Sequence, residues 1–438
     1  MTYDEALRYL ASIEGLGIKL ALENITQVLE SLGDPQRSCP SLLISGTNGK
    51  GSVAAMIAAI LARTGRRIGL YTSPHLLRYE ERIIIDGRPV TGDRFAAAVG
   101  EVHDTVLRLL DAGALGAHPT HFETVTAAAF LHLARAEVDL AVLEVGMGGR
   151  LDATALAAPR LSIITNVDLE HTAYLGKTLE EIAFEKAGVL PEGGVLLTAE
   201  SRPGPAAVFR ERAREMRARL VEMPQWARVR VREGRLSIRT PRREHLDLEI
   251  ALRGPHQAGN AALAVAACDL LEEIGFPVSE EAIRAGLKEV RWPGRFQIVE
   301  GSPRLILDGA HNPAGSRALA EALRSIGALP ETTTLLFGVL RDKDHAAMLE
   351  ALTGCALRVV LTRGVSPRFR EPHAMAPQAR EVIGRASAAE VTATENLDEG
   401  WREAIASTPP GGSICVCGSL YLVADAMRLL GIEAFPER

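Results

Sequence analysis

The feature that most constrains this chain is an apolar run that ends in a glycine-rich turn, residues 42–52 (LLISGTNGKGS). The run has the length of a buried parallel strand, and a segment of helical character follows it over residues 53–63. A strand, a glycine turn and a helix N-terminus form an anion site, because backbone N–H groups and the helix dipole face the same point. Lys50 adds a charge for outer phosphates, and Ser52 is placed to reach a metal ion. We therefore expect nucleotide binding.

The spacing of this turn differs from the common P-loop, in which two glycines bracket four residues before Lys and Ser/Thr. Here Gly46 and Gly49 bracket two residues, and Gly51 separates Lys50 from Ser52. A simple strand-to-helix turn is the alternative interpretation. The flanking strand and helix patterns favour the nucleotide site.

Length and composition exclude several classes of protein. A chain of 438 residues is too long for one core and indicates two or three domains. The net charge of −6 gives no general basic field for nucleic acid. Five scattered cysteines are typical of reduced thiols in a cytosol, and no apolar run approaches the length of a membrane span. We expect a soluble cytoplasmic protein without a nucleic-acid or membrane partner.

Three further predicted strands deliver polar residues to their carboxyl ends, where the ligand crevice of an α/β sheet lies. Ser73 follows a strand at residues 67–71 and is equally consistent with a metal or phosphate ligand and with a Ser-Pro turn. Glu144 ends a strand at residues 138–144 and precedes a glycine-rich loop, which is typical of a magnesium anchor. His171 follows a strand at residues 161–165. A hydrogen-bonded histidine is the commoner outcome there, since magnesium prefers oxygen.

Two residues on predicted helices have ordinary alternatives. Lys186 lies near the end of a helix at residues 178–187, where a lysine normally stabilises the helix dipole. The start of that helix carries Thr178 and Glu181 in a capping-box pattern. Asn260 lies in the first turns of a long helix at residues 256–274, where its amide either contacts a purine ring or caps the helix.

The most basic region spans residues 202–243. We predict a helix at residues 206–220 and strands at 226–232, 235–240 and 247–253. Acidic residues are interleaved with the arginines and aromatic residues are few, so a solvated surface is favoured over a nucleic-acid site.

The α/β pattern restarts after residues 291–295 (RWPGR), which predict a linker. Strands and helices alternate from residue 296 onward, as in a doubly wound, Rossmann-like domain. We predict a larger P-loop-type domain with a mostly parallel sheet at residues 1–294 and a smaller domain at residues 295–438. Arg295 at the hinge is placed to reach a phosphate, and the loop at residues 308–313 (DGAHNP) is polar and follows a strand.

Several motifs of one family occur here in order. They are residues 46–52 (GTNGKGS), 72–76 (TSPHL), 144–152 (EVGMGGRLD), Asp168 with His171, 185–188 (EKAG), His256-Gln257 with Asn260-Ala261, Gly294-Arg295 and 308–313 (DGAHNP). The chain closely resembles folylpolyglutamate synthase, including its bifunctional bacterial form with dihydrofolate synthase activity, in the Mur ligase superfamily. The resemblance runs from about residue 3 to residue 421.

The resemblance implies ATP-dependent ligation of L-glutamate to dihydropteroate and to reduced folates through an acyl phosphate, with Mg²⁺, by a monomer. A folylpolyglutamate synthase alone, another Mur-type ligase and a non-catalytic nucleotide-binding regulator are the alternatives. Retention of two pterin segments favours the bifunctional enzyme, although Ala155 stands where many members have Asn.

The resemblance also assigns roles by residue. The ATP contacts are Thr47, Asn48, Gly49, Lys50, Gly51, Ser52, Asn260, Arg295 and Asp308, and the magnesium ligands are Ser73, Glu144 and His171. Lys186 matches a lysine that is carbamylated in this family and is catalytic with Lys50 and His311. The pterin segments are Thr120, His121, Phe122, Glu123, Leu151, Asp152 and Ala153. The glutamate residues are His311, Ser419 and Tyr421.

Overall fold

The protein is described from a computed structural model that covers residues 1–17, 19–385 and 387–436. The chain forms two compact units. The first comprises Met1–Ile250 and Asn260–Val290, and the second comprises Ala251–Gly259 and Arg291–Arg438. The division into functional domains at residue 294 stays a prediction.

The first unit contains an eight-stranded sheet. Its strands are β1 Ser41–Ser45, β2 Ile68–Tyr71, β3 Ile83–Ile85, β4 Arg88–Pro89, β5 Leu140–Glu144, β6 Leu161–Ile164, β7 Val195–Thr198 and β8 Arg219–Glu222. Their spatial order is β4-β3-β2-β5-β1-β6-β7-β8. Neighbours from β2 to β8 pair in parallel, and β3 and β4 add an antiparallel edge. All residues of β1 are buried, as expected for a central parallel strand.

The helices that accompany this sheet begin with an amphipathic pair at the N-terminus. They are α1 Tyr3–Ile13, α2 Glu23–Ser31, α3 Lys50–Leu61, α4 Gly92–Asp111, α5 His121–Arg135, α6 Thr172–Leu175, α7 Leu179–Ala187, α8 Pro203–Glu215, α9 Met223–Trp226, α10 His256–Glu273 and α11 Glu280–Glu289. Helix α3 follows the glycine turn directly and buries Val53, Met56, Ile57 and Ile60. The core of the unit therefore lies immediately behind the predicted nucleotide site.

A separate antiparallel sheet in the first unit has the order β11-β10-β9. Its strands are β9 Arg228–Arg232, β10 Arg235–Arg239 and β11 Glu244–Leu248. One face carries Leu236, Ile238 and Leu248, all fully or almost fully buried.

The second unit contains a six-stranded sheet of order β12-β13-β17-β14-β15-β16. The strands are β12 Gln297–Val299, β13 Arg304–Leu307, β14 Thr333–Phe337, β15 Arg358–Leu361, β16 Glu390–Ala393 and β17 Ser413–Cys417. The helices are α12 Pro313–Ser325, α13 His345–Leu352, α14 Pro372–Gly384, α15 Leu397–Ser407 and α16 Leu420–Leu429. All neighbours are parallel except β12 and β13.

These two mostly parallel sheets confirm the predicted α/β fold class. The capping box of Thr178 and Glu181 is also confirmed at the start of α7. The predicted helix at residues 206–220 is wrong at its end. The chain leaves α8 after Glu215 because Arg217 adopts a left-handed conformation (φ 48°), and β8 then begins at Arg219. The strand expected at residues 247–253 lies instead at Glu244–Leu248.

A membrane-spanning helix was not predicted. Within the part of the chain that the structure describes, no helix has the length and apolar character needed to cross a bilayer.

Candidate active site

The glycine turn after β1 is closely packed and has the conformation of an anion-binding loop. Gly46 has φ 143°, and a side chain there would overlap the Thr165 hydroxyl. Gly49 is left-handed with φ 87° and begins α3. A Cβ atom on Gly49 would lie 2.6 Å from Asn260 Oδ1. The structure therefore brings Asn260, a predicted ATP contact from α10, against the predicted phosphate loop.

The phosphate loop is fixed by the segment that follows β6. Thr47 N–H donates to the Asn166 carbonyl at 3.0 Å, and Asp168 N–H donates to the Thr47 hydroxyl at 2.8 Å. Asn48 N–H donates to Asn166 Oδ1 at 3.0 Å. These contacts stabilise one loop shape before any ligand binds, which lowers the entropy cost of phosphate binding.

The ammonium group of Lys50 lies over the same loop. Its Nζ donates to the carbonyls of Gly46 at 2.9 Å and Thr47 at 3.1 Å. Both acceptors are neutral carbonyl groups, so neither compensates the positive charge of Lys50. A phosphate group at the N-terminus of α3 would provide that compensation.

Three of the predicted metal ligands share the carboxyl edge of the first sheet. Strand β5 lies between β2 and β1, and β6 lies on the other side of β1. Glu144 is the last residue of β5, Ser73 follows β2, and His171 follows β6. Ser73 N–H donates to Glu144 Oε2 at 3.3 Å. Glu144 is buried, so its carboxylate has a fixed position.

Buried carboxylate and hydroxyl oxygens fit Mg²⁺, whereas the imidazole of His171 is a less usual ligand for it. The described residues contain no group of three or more His, Cys, Asp and Glu side chains able to hold a metal ion. Magnesium at this edge would thus need nucleotide oxygens and water as further ligands, which is its common mode of binding.

Lys186 is a buried lysine with an altered pKa. Only 3% of its surface is exposed at the end of α7. Burial, together with the charge of Lys50, lowers the pKa of Lys186 to about 7, and Glu170 opposes this shift. Interaction with the helix dipole, the ordinary interpretation of the sequence, does not produce such a shift. Such a lysine has a substantial neutral fraction near pH 7, and the neutral amine is a nucleophile.

The two predicted pterin segments meet at one glycine. A Cβ atom on Gly146 would lie 2.6 Å from the Phe122 ring and 3.3 Å from Asp152 Oδ2. Asp152 is buried, and it accepts hydrogen bonds from Met147 N at 3.0 Å and from the Thr154 hydroxyl at 2.6 Å. Burial raises the pKa of Asp152 against these hydrogen bonds. An aromatic ring and a carboxylate thus lie side by side.

Other members of these segments have local structural partners. Thr120 and Glu123 form the capping box of α5, with Thr120 N donating to Glu123 Oε2 at 2.7 Å. His121 Nε2 lies 2.9 Å from the Tyr79 hydroxyl. Burial, and then the charge of Arg82, lowers the pKa of His121 to about 4, so this imidazole is neutral at pH 7.

In the second unit the polar loop after β13 surrounds Asp308. Its Oδ2 accepts from Phe296 N at 2.8 Å and its Oδ1 accepts from Ala310 N at 2.9 Å. The position of Gly309 requires glycine, because a Cβ atom there would overlap the Arg295 guanidinium. Two predicted ATP contacts, Asp308 and Arg295, therefore lie together.

The predicted glutamate residues lie on adjacent loops of the second sheet. His311 Nδ1 lies 2.9 Å from the Gly309 carbonyl. Gly418 N–H donates to the Ala310 carbonyl at 3.0 Å, which joins the loops after β13 and β17. Ser419 caps α16, and Tyr421 in its first turn is 39% exposed.

Comparison with known proteins identifies the family. The Mur ligase middle domain matches residues 93–268, and the glutamate ligase domain of Mur ligases matches residues 294–420. A dihydrofolate synthase/folylpolyglutamate synthase of Bacillus subtilis is 31% identical over 98% of this chain and 99% of the relative. The chain belongs to the dihydrofolate synthase/folylpolyglutamate synthase family. The predicted family is therefore confirmed.

A second protein similar to this chain is a "Probable bifunctional folylpolyglutamate synthase/dihydropteroate synthase" of Haloferax volcanii. It is 37% identical over 97% of the chain. The chain spans about half the length of this relative, 50%. The solved structure of Escherichia coli FolC in complex with DHPP and ADP has a TM-score of 0.86, at 29% identity over 98% of each chain.

Sequence reasoning missed the group of residues beside His121. Arg82 Nε donates to His75 Nδ1 at 2.9 Å, and the Arg82 guanidinium lies 5.3 Å from the centre of the Tyr79 ring. Arg82 is buried without a carboxylate in these contacts. The sequence around Arg82 carries no sign of these contacts, since they depend on how the 3₁₀ turn at Tyr79–Arg82 packs.

Proposed function

We propose that this family member joins L-glutamate to dihydropteroate, which gives dihydrofolate, and to the γ-carboxylate of reduced folates, with cleavage of ATP to ADP and phosphate. One observation carries the proposal. The glycine turn with Lys50 and the buried Glu144 lie at one edge of the first sheet, and the pKa of the buried Lys186 in α7 is lowered by burial and by the charge of Lys50. The ADP and DHPP present in the solved relative support the choice of substrates.

The first chemical step is transfer of the ATP γ-phosphoryl group to a substrate carboxylate. A carboxylate oxygen attacks phosphorus, the bond to the β-phosphate oxygen breaks, and an acyl phosphate and ADP form. Such a transfer needs positioning and positive charge more than covalent chemistry from the protein. Thr47, Asn48, Gly49, Gly51 and Ser52 would orient the phosphates, and Lys50 would neutralise charge on them.

Mg²⁺ bound by Ser73, Glu144 and His171 would supply further positive charge at the phosphates. Lys186 would serve this site as a carbamate, because a neutral amine reacts with carbon dioxide to give an anion. The lowered pKa of Lys186 supports this role. Its burial excludes water that would compete for the position.

The second step is attack of the glutamate amine on the acyl carbon, with loss of phosphate and of protons from the amine. His311, Ser419 and Tyr421 would position the incoming glutamate. Arg295 and Asp308, which lie together in the second unit, and Asn260 beside the glycine turn are the remaining residues proposed to contact the nucleotide.

Phe122 and Asp152 would recognise the pterin. The ring of Phe122 offers a stacking surface, and a carboxylate accepts hydrogen bonds from the amino group and ring N–H of a pterin. Thr120, His121, Glu123, Leu151 and Ala153 would complete this subsite. We further propose that the enzyme acts as a monomer in the cytoplasm, where its free cysteines stay reduced.

The test is product mass after incubation with ATP, Mg²⁺ and L-glutamate. Dihydropteroate and a monoglutamyl tetrahydrofolate are compared as acceptors. Gain of one glutamyl unit by both supports the bifunctional enzyme, and gain by the folate alone would restrict the function to folylpolyglutamate synthase. Gain by neither would contradict the proposal. A Lys50→Ala variant with unchanged ADP release would contradict the assignment of the phosphate loop.

A further inference from the structure

The small sheet β9–β11 presents an arginine-rich face that the ligase chemistry does not use. Strand β9 alternates Arg and Val, and all its residues are exposed. Its register places Arg232 opposite Arg235, and Arg228 opposite Arg239. Like charges directly opposite each other destabilise a sheet. The stability of the fold therefore does not explain this arrangement.

Only part of this positive charge is compensated. Arg235 pairs with Glu249 at 2.8 Å, and Arg239 pairs with Glu244 at 2.8 Å. Along residues 228–239 there are five arginines and one acid, in a chain whose total charge is −6. The local charge is thus opposite in sign to that of the whole chain.

The least compensated charge lies on β9, where Arg232 pairs with Glu233 at 3.7 Å and Arg230 interacts with Glu244 only through space. Among the residues that the structure describes, none forms an ion pair with Arg228 or Arg230. Arg230 lies opposite the neutral Ser237. The middle of the strand is therefore open to an anionic partner.

The other face of β9 is apolar and open to solvent. Val229 and Val231 are 43% and 56% exposed, whereas their cross-strand partners Ile238 and Leu236 are buried. The apolar surface of the sheet thus continues past its packed region to the outer strand. A further strand would cover it.

Strand β9 is also the last strand of its sheet, so one side of its backbone has no strand partner among the residues that the structure describes. We propose that this edge binds an extended segment of another protein in which acidic and apolar residues alternate. Main-chain hydrogen bonds would add the segment as a fourth strand. Its acidic side chains would meet Arg228, Arg230 and Arg232, and its apolar side chains would cover Val229 and Val231.

Two other occupants fit less well. A second copy of this chain would place the arginines of one β9 beside those of the other, which repel. A single-stranded nucleic acid needs aromatic side chains for base stacking, and residues 228–249 contain no Phe, Tyr or Trp. A contact of five residues is small, so we expect a dissociation constant of roughly 1–100 μM.

The test uses the full chain and a fluorescein-labelled peptide of four Glu-Val repeats. Fluorescence anisotropy measures binding, and hydrogen exchange with mass spectrometry measures protection of residues 228–232. Two further probes are the same peptide N-methylated at every residue, which removes the donors of both strand edges, and an oligothymidylate of equal charge. The variants are Arg228→Glu/Arg230→Glu, the milder Arg230→Gln, and the control Arg402→Glu on an exposed surface of α15.

We expect micromolar binding with slower exchange at residues 228–232. Binding should weaken at least about tenfold in the double variant and with the N-methylated peptide, by a smaller factor in Arg230→Gln, and not at all in Arg402→Glu. Absence of binding at about 1 mM peptide would overturn the proposal. Equal binding of the N-methylated peptide or the oligothymidylate would overturn it too, since neither can add as a strand. Thermal unfolding of each variant establishes that it is folded.

Discussion

Ser73 donates its backbone N–H to Glu144 Oε2 across 3.3 Å, which joins the ends of two adjacent parallel strands. The contact fixes the buried carboxylate of Glu144 next to the backbone of Ser73, at the edge that carries the predicted phosphate loop. A carboxylate held in this way is preorganised for a hard cation such as Mg²⁺. The contact therefore gives the proposed metal site a direct test.

Replacement of Glu144 by Gln keeps the shape of the side chain and removes its charge. If Glu144 is a magnesium ligand, ADP release should fall at least about 100-fold, equivalent to roughly 2.7 kcal/mol, and the magnesium requirement should rise. A titration of turnover against Mg²⁺ measures both. Glu192→Gln is the control, because Glu192 forms a surface pair with Arg217. An unaltered magnesium curve in Glu144→Gln would refute the assignment.

Gly49→Ala should abolish nucleotide binding. The new Cβ atom would lie 2.6 Å from Asn260 Oδ1, on a backbone with φ 87° that alanine disfavours. We expect a loss of affinity for ADP of more than about tenfold and a loss of stability of roughly 1–2 kcal/mol. Isothermal titration calorimetry and urea unfolding measure these quantities.

Gly259→Ala is a matched control for this variant. It lies in α10 one residue before Asn260, has no atom within 4 Å of the added Cβ, and should keep ADP affinity. It should also stabilise the helix by about 0.5–1 kcal/mol. Equal ADP affinity in both variants would show that the Gly49 turn does not contact nucleotide.

Turnover should depend on bicarbonate and on pH through Lys186. Its pKa of about 7 means that the amine is mostly protonated below pH 7 and mostly neutral above it. A carbamate forms from the neutral amine and dissolved carbon dioxide. When bicarbonate is added to give the same dissolved carbon dioxide at each pH, the activity of carbon dioxide-depleted enzyme should therefore recover faster at pH 8 than at pH 6. The Lys186→Ala variant should be inactive with or without bicarbonate. The control Lys177→Ala, which changes an exposed lysine, should behave as the parent. Full activity without bicarbonate at both pH values would contradict the carbamate.

The fully buried His245 should stabilise the fold in a pH-dependent way. It contacts Glu280 through Nδ1 and lies 3.4 Å from Asp269 through Nε2. Burial lowers the pKa of His245, but its hydrogen bonds to the two carboxylates outweigh this, so the folded pKa is raised above 6.5. A raised pKa gives stability that is complete below the unfolded value and is lost as pH rises through the folded value.

Replacement of His245 by Gln should therefore cost roughly 1–3 kcal/mol at pH 5.5, because it removes one charged hydrogen-bond partner of the buried Asp269, which keeps its pair with Arg243 at 2.7 Å. The difference from the parent should shrink at pH 8.5. Urea unfolding at both pH values measures it. Burial raises the pKa of Asp269, but its hydrogen bond to His245 and its other partners together lower it by more, so Asp269 should remain ionised at both pH values. A difference that is the same at both pH values would show that His245 is not protonated in the fold.

Local sequence predicted those elements of the candidate site that neighbouring residues determine, and the site itself stays a prediction. The phosphate loop follows from an apolar run before closely spaced glycines, and Glu144 follows from a strand that ends in a carboxylate. The pKa of Lys186 did not follow from its neighbours in sequence, because it arises from burial and from Lys50, which is 136 residues away in the chain. The role of Lys186 was predicted from the resemblance to the family and not from local sequence.

The register of the small sheet could likewise not be predicted from local sequence. Strands were predicted near residues 228–232 and 235–239, but the opposition of Arg232 and Arg235 depends on the turn between them. The contact of His245 with Asp269 depends on how β11 packs on α10. The end of α8 was mispredicted because a left-handed Arg217 has no sequence signal, unlike a glycine at that position.

The acyl phosphate is the central claim of this account, and transfer of isotope tests it most directly. Dihydropteroate labelled with ¹⁸O in both carboxylate oxygens is ligated to L-glutamate with unlabelled ATP, and the inorganic phosphate is analysed by mass spectrometry. Attack of the carboxylate on the γ-phosphorus predicts one ¹⁸O atom in each phosphate released by ligation. Phosphate without ¹⁸O, at the same yield of dihydrofolate, would contradict the mechanism.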